Sequence, residues 1–202
     1  MALLTGWLTR IRLERVGAHV SGRVLDVGCG YGDLLGHLAA SVTSIDLVDA
    51  SPLREERARG RARERGIPAR FVLCDVNGPC TELPPGPYDT VVMGALLEHL
   101  RPPIRVLAAA AERLAPAGLL VLTTPTPLGG KLHRLGSYAG LTHPEAAHEH
   151  FGFYGRSEIA GMLAGSSLEM VSYARFLFGL NQIVVARRPL RRGSPGVDSP
   201  VA

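Results

Sequence analysis

Residues 24–35 read Val24-Leu25-Asp26-Val27-Gly28-Cys29-Gly30-Tyr31-Gly32-Asp33-Leu34-Leu35. An apolar, β-branched run ends in three glycines at alternate positions, and a helix-like pattern begins at Asp33. Strand, tight turn and helix in that order form the usual cradle for a nucleotide-like ligand at the carboxyl end of a parallel strand. The glycine spacing is G-x-G-x-G. A dinucleotide turn requires G-x-G-x-x-G, and position 33 is aspartate.

Working outward, residues 3–20 carry a helical stripe (Leu4, Leu8, Ile11, Arg12, Arg15, Val16) with basic flanks. Strand one is expected over 23–27, a helix over about 33–40, and strand two over 42–48, ending at Asp49. Ser51-Pro52 gives a cap and a first-turn proline for a helix that stops at Gly66. Strand three is expected over 69–73. A Pro- and Gly-rich loop covers 77–87, and strand four covers 88–93, apolar enough to be buried on both faces. Pro102-Pro103 opens an alanine-rich helix, and Pro116-Ala117-Gly118 turns the chain into strand five, 119–124. An irregular stretch is expected over 125–154, a last helix over 157–164, and an antiparallel pair over 168–176 and 181–187, turning at Gly179. Strands alternating with helices predict an α/β, doubly wound sheet with helices on both faces and a terminal antiparallel hairpin. The expected organisation is one domain over 1–188, and a Pro/Gly/Ser/Arg-rich tail over 189–202 of disordered composition.

Composition narrows the class. The chain has 202 residues, 46% hydrophobic and 20% charged, which suits one globular core. The longest apolar stretch, 106–124, is interrupted by Glu112, Arg113, Pro116 and Gly118, so no membrane span is expected. The N-terminus lacks the apolar core and cleavage site of a secretory signal. Cys29, Cys74 and Cys80 form a sparse, odd set without metal-ligand spacing, as expected of a reduced, cytoplasmic protein. Cys29, inside the glycine turn, reads as a small packing residue. Most of the net charge of +4 lies in the tail from Arg187 onward, so no basic patch for nucleic acid is expected within the fold. The arginines from Arg54 to Arg65 are interleaved with Glu55, Glu56 and Glu64 and read as a solvated helix face.

Several motifs in order carry a resemblance. They are Asp26 before the glycine turn, Asp49-Ala50-Ser51-Pro52, Cys74-Asp75-Val76, Tyr88-Asp89-Thr90-Val91-Val92 with Leu96-Leu97-Glu98-His99-Leu100, and Leu114-Ala115-Pro116-Ala117-Gly118. Together, over about residues 23–124, they resemble class I S-adenosylmethionine (SAM) methyltransferases of the small-molecule type, with motifs like those of ubiquinone-pathway O-methyltransferases. The resemblance implies a Rossmann-like, seven-stranded sheet and SAM as methyl donor. Asp26, Gly28, Cys29, Gly30, Gly32, Asp49, Ala50, Asp75, Val76 and Gly94 are the implied cofactor residues. The glycines would bring the backbone close to the ligand, and Asp26 would suit the cationic amino end of the methionine moiety. Asp49 would accept the ribose hydroxyls, and Asp75 the adenine amino group. Asp46, inside strand two, is the competing ribose acid and reads as structural. Ala117 stands where the related turn has glycine.

Methyl transfer from a sulfonium is an in-line displacement, to which a protein contributes chiefly positioning and desolvation. At Met93-Gly94-Ala95-Leu96 the chain lacks the [DN]-P-P-[YFW] of nucleic-acid amino-methyltransferases. The Leu97-Glu98-His99 triplet resembles that of relatives in which a carboxylate three residues earlier helps hold a divalent metal. Ala95 stands there, and no metal is expected. His99 is a candidate general base or a packing residue. The segment 125–154 is expected to face the acceptor. It holds Lys131, His133, His143, Glu145, His148, Glu149 and His150. Its histidines can be read as a metal site (His143, His148, His150), as a general base (His148 or His150), or as structural. Glu149-His150-Phe151 resembles the segment before the last helix of small-molecule methyltransferases and favours His150 as catalytic, with Tyr31, His148 and His150 lining the acceptor site. The expected activity is methylation of a small molecule, at oxygen, by a monomer or homodimer. The competing readings are a nicotinamide-dependent oxidoreductase and a SAM-fold protein that only binds a partner.

Overall fold

The computed structural model describes residues 2–78, 83–138 and 151–190, with only the backbone given for 2–5 and 133–138. Cys80 and the tail from residue 191 lie outside the described residues. The N-terminal helix α1 (Ala2–Gly17) leads into β1 (Gly22–Val27), β2 (Val42–Asp49), α2 (Glu55–Glu64) and β3 (Ala69–Leu73). Then come β4 (Tyr88–Gly94), α3 (Pro103–Arg113), β5 (Leu114–Pro125), α4 (Pro127–Tyr138), α5 (Arg156–Gly165), β6 (Glu169–Phe176) and β7 (Asn181–Arg187). The seven strands form one sheet in the order β3-β2-β1-β4-β5-β7-β6. The first five are parallel, and β7 joins β5 and β6 antiparallel.

Alternation along β1 sets the two layers. Leu25 and Val27 belong to a core that includes Leu107 and Ala110 of α3 and Ile159 and Leu163 of α5. Val24 belongs to a second core with Val16 of α1 and Ala58 and Ala62 of α2. Successive side chains of a strand point to opposite faces, so a run buried at every position requires helices on both. The doubly wound sheet, the closing hairpin and the helices on both faces therefore stand as expected.

Two elements differ. The helix expected over 33–40 is a single 3-10 turn, Asp33–His37, and Leu38 is already extended. Gly36 weakens a longer helix there. The surface that helix would cover is taken by α1 and α2, which pack against the turn. Gly17 lets α1 approach the His37 carbonyl closely, where a Cβ would collide.

The second difference is α4, inside the stretch expected to be irregular. Thr126 caps it: its Oγ1 accepts from the Gly129 N–H at 3.1 Å and donates to the Gly179 carbonyl at 2.8 Å. Thr126-Pro127 is the same start signal as Ser51-Pro52. Gly129 and Gly130 suggest a loop from sequence alone, but they serve close packing against the Leu180 backbone and the Phe153 ring. Strand five also begins earlier than expected, at Leu114, pairing with Tyr88 before the register shifts around the turn.

Candidate active site

The strand order reverses between β1 and β4, which makes their carboxyl ends the topological switch point where ligands of open α/β sheets bind. Val27, Asp49, Leu73, Gly94 and Pro125 end the five parallel strands on this side. The glycine turn is pinned from below, because the N–H groups of Gly28 and Cys29 both donate to the Val48 carbonyl at 2.8 and 3.0 Å. Gly28, Gly30 and Gly32 all have positive φ, of 77°, 56° and 73°. L-residues are strained there, which alone explains the glycines.

The space around them differs. A Cβ on Gly30 or on Gly94 would meet no heavy atom within 4 Å, so both look into open crevice. A Cβ on Gly28 would press on Leu96 at 3.0 Å, and one on Gly32 on Leu35 and Ala58 at 3.0 and 3.1 Å. Close approach to a ligand was expected at all three turn glycines. The space is open at Gly30, whereas at Gly28 and Gly32 a Cβ would also crowd the protein's own atoms. Cys29 is buried, and burial followed by the charges of Asp26 and Asp49 pushes its pKa up, which keeps it a thiol.

Two buried carboxylates sit under the turn. Asp26 is 4% exposed and has no hydrogen-bond partner among the described residues. Burial, and then the charge of Asp49, push its pKa up to about 7. Asp49 is 3% exposed but fully engaged. Its Oδ2 accepts from the Gly30 N–H at 2.9 Å and its Oδ1 from the Ser51 N–H at 2.9 Å. Arg54 Nη1 donates to both oxygens, at 3.1 and 3.0 Å. Asp46 is held away from the crevice by Arg70, at 2.9 and 3.0 Å, and by the Tyr88 hydroxyl at 2.5 Å. Its role is structural.

Around these lie the remaining expected residues. Ala50 is exposed and Val76 half-buried beside the α3–α5 core. Asp75 is exposed at the end of β3, where its Oδ1 accepts from the Asn77 N–H at 2.9 Å. Asn77 joins this loop to the one after β4, donating to the His99 carbonyl at 2.7 Å and accepting from the Arg101 N–H at 2.9 Å. Tyr31 is 43% exposed, with the guanidinium groups of Arg54 and Arg57 over its ring at 5.7 and 5.1 Å. The arginines from Arg54 to Arg65 are therefore not merely a solvated face. Arg54 holds Asp49, and Arg61 binds both Asp33 and the Tyr31 carbonyl. His99 is half-buried. His143, His148 and His150 lie outside the described residues, as do Glu145 and Glu149, and nothing of the His133 side chain is described. No group of three His, Cys, Asp or Glu side chains among the described residues is placed to hold a metal ion.

Two residues read from sequence in other roles, Arg12 in the helical stripe and Glu98 in the Leu97-Glu98-His99 triplet, interact electrostatically with one another. Arg12 reaches in from α1. Its Nε is buried without a hydrogen-bond partner, and burial lowers its pKa despite the opposing charges of Glu98 and Asp33. Glu98 is 2% exposed and accepts from the Thr124 hydroxyl at 2.9 Å, with burial raising its pKa. The Glu98 carbonyl accepts from the Phe151 N–H at 2.8 Å, which fixes the start of the chain leading to α5. The crevice is thus bordered by Asp26, which has no hydrogen-bond partner among the described residues, by the engaged carboxylate of Asp49, and by two glycines with open space.

A family profile described as "Methyltransferase domain" matches residues 6–173. The chain belongs to the methyltransferase-domain family. It is 32% identical over 180 residues to a "Ubiquinone biosynthesis O-methyltransferase" of Xanthomonas campestris pv. campestris (strain B100), covering 85% of this chain and 74% of the relative. Among solved structures, the mitomycin 7-O-methyltransferase MmcR superposes with a TM-score of 0.70 at 20% identity, over 91% of this chain and 55% of that one. A SAM-dependent methyltransferase from Clostridium acetobutylicum ATCC 824 gives 0.66 at 12%, over 88% and 91%. At those identities the structures establish the fold, and the profile and the closer relative establish the family. The solved structures that share this fold include a SAM-dependent methyltransferase, which makes SAM the donor to weigh against the crevice. The crevice fits that donor by its chemistry: an acid with no internal partner for an ammonium group, a buried cation for a carboxylate, and an acid of two oxygens for a diol.

Proposed function

We propose that the protein transfers the methyl group of SAM to an oxygen atom of a small-molecule acceptor in the cytoplasm. The observation that supports the reading is a buried carboxylate, Asp26, with no hydrogen-bond partner among the described residues, beside an open glycine turn at the switch point. The ammonium of a free amino acid end supplies the cation that Asp26 lacks. Oxygen as the target rests on the names of the relatives, a ubiquinone-biosynthesis and a mitomycin O-methyltransferase.

SAM supplies an electrophilic methyl on a sulfonium and leaves as a neutral thioether. The chain's residues supply the rest. Asp26 holds the ammonium and Arg12 the carboxylate of the methionine end. Gly28, Cys29, Gly30 and Gly32 shape the turn, Asp49 and Ala50 flank the ribose, and Asp75 and Val76 receive the adenine. Gly94 keeps the floor of the crevice free of side-chain atoms. Glu98, bonded to Thr124, lies within electrostatic reach of Arg12. His99 and His150 are the candidates for taking the acceptor proton, and Tyr31 and His148 for contacting the acceptor.

Calorimetry with SAM, S-adenosylhomocysteine and NAD tests the donor. The first two should bind and NAD should not. Labelled methyl transfer to a panel of phenols, catechols, amines and carboxylic acids tests the acceptor. Labelling confined to amines would defeat the O-methyl assignment, and a chain that binds neither SAM nor its product would defeat the whole reading.

A further inference from the structure

Asp49 is the acid assigned to the ribose, and its hydrogen-bonding capacity is already full. An ionised carboxylate offers about four lone-pair positions. The Gly30 and Ser51 N–H groups take one on each oxygen, and these are backbone contacts fixed by the turn and by the start of the following 3-10 helix. The remaining position on each oxygen is taken by one nitrogen, Arg54 Nη1. A vicinal diol needs those same two positions, one per oxygen.

We propose that Arg54 is a latch on the ribose site, competing with the 2′- and 3′-hydroxyls of the methyl donor for Asp49. The inference rests on the SAM reading and adds to it a residue that sets how tightly donor and product are held. The two partners are built unequally: the Asp49 side chain is 3% exposed and that of Arg54 43%. Asp49 cannot move, whereas the guanidinium lies at the crevice rim and can turn outward into water. Its outward path is prepared, because Arg54 already lies over the exposed Tyr31 ring beside Arg57. Such an aromatic face accepts a displaced guanidinium without loss of all its interactions. SAM and S-adenosylhomocysteine carry the same ribose, so the latch opposes both and favours release of the product as well as limiting retention of the donor.

The test compares wild type with Arg54→Met, which keeps the aliphatic stem and removes the donor. Five probes are titrated: SAM, S-adenosylhomocysteine, adenosine, 2′,3′-dideoxyadenosine and L-methionine. Thermal melting confirms that the variant is folded. The expected result is a tightening of about tenfold for the three ligands with a diol, the return on a charge-assisted hydrogen bond no longer displaced. Dideoxyadenosine and methionine should be unchanged. In an Asp49→Asn background the same substitution should have no effect on adenosine. Unchanged or weaker binding of the diol ligands overturns the latch. So does equal tightening of dideoxyadenosine, which would mark a general charge effect. If wild type binds SAM and the variant merely matches it, the latch fails while the donor assignment stands. If wild type binds no SAM, the donor assignment fails and the latch with it.

Discussion

Asp26, one residue before the end of β1, and Asp49, at the end of β2, lie under the same turn, and of the two only Asp49 has a counter-charge among the described residues. Arg54 neutralises Asp49, while Asp26 is buried with no hydrogen-bond partner among the described residues and is pushed up to about 7. The site therefore holds one carboxylate whose charge is costly until a cation arrives.

The affinity of the methyl donor should accordingly depend on pH in the neutral range. An ammonium group favours ionised Asp26, so binding should strengthen as pH rises towards about 7 and weaken again once the ligand's own ammonium loses its proton, near about 8. Calorimetry at pH 5.5, 6.5, 7.5 and 8.5 should show this rise and fall, with proton release on binding at the lower values. A flat profile would exclude Asp26 as the ammonium site.

The same group makes a stability prediction of opposite sense. The folded pKa lies above the unfolded value of 3.8, so the folded state binds more protons between these limits and loses stability as pH rises through that window. Asp26→Asn removes the penalty. It should melt at a higher temperature than wild type above pH 7, by an amount equivalent to ~1–3 kcal/mol after relaxation, while losing donor binding. A variant less stable than wild type at pH 8 would contradict the assignment of Asp26 as an uncompensated charge.

Asp46 is the contrasting case. Burial pushes its pKa up, but the hydrogen bonds from Arg70 and Tyr88 and the charges of Arg70 and Arg23 outweigh this and hold it below the usual carboxylate value. A depressed carboxylate stabilises the fold above its unfolded pKa, and that contribution is lost as pH falls through the folded value. Asp46→Asn should lower stability at pH 7 by about 1–3 kcal/mol, much less at pH 3, and leave the SAM dissociation constant unchanged. Asp49→Asn should weaken SAM binding. If Asp46→Asn weakened SAM binding as much, the two acids would have been assigned in the wrong order.

How far the sequence carried this reading depends on the range of each interaction. The strands were legible because a strand buried on both faces must be apolar at nearly every position, as at Val91–Met93. Asp26 and Asp49 were legible because strand ends fix them relative to the glycine turn. Asp46 and Asp49 could be separated because one lies within β2 and the other at its end. Arg12 was not legible. On α1 it looks like the polar flank of an amphipathic helix, and its place over Glu98 and Asp33 depends on how that helix packs across the sheet. Arg54 was hidden for the same reason, as one of six arginines in a charge-rich helix region. Glu98 was read as part of a motif, and its burial follows from the β4–β5 pairing that places Thr124 beside it. The α4 helix was missed because Gly129 and Gly130 obscured the Thr126-Pro127 start.

Ala117 gives a test of backbone strain away from the site. It has φ of 64° in the turn early in β5, where the family resemblance expects glycine. Its N–H donates to the Arg188 carbonyl at 3.0 Å, so the turn is held by the neighbouring chain and cannot relax. An L-residue in this region carries about 1–2 kcal/mol of strain, and glycine adds back some unfolded-chain entropy. Ala117→Gly should therefore gain about 0.5–1 kcal/mol by urea denaturation, with SAM affinity unchanged. A loss of stability would mean that the left-handed conformation is not imposed there.

Gly94 offers the most direct steric test of the crevice. It ends β4 without a positive φ, and a Cβ there would meet nothing within 4 Å. Gly94→Ala should therefore fold normally and gain a few tenths of a kcal/mol from reduced unfolded-chain entropy. If the methyl donor lies against this strand end, the added methyl projects into its volume and should weaken SAM binding about tenfold or more, by overpacking of ~1–3 kcal/mol. Gly36→Ala, which also meets nothing within 4 Å but lies in the 3-10 turn after the glycine run, serves as the control and should leave affinity unchanged. Equal SAM affinity in Gly94→Ala and wild type, with both folded, would place the donor elsewhere than against the end of β4.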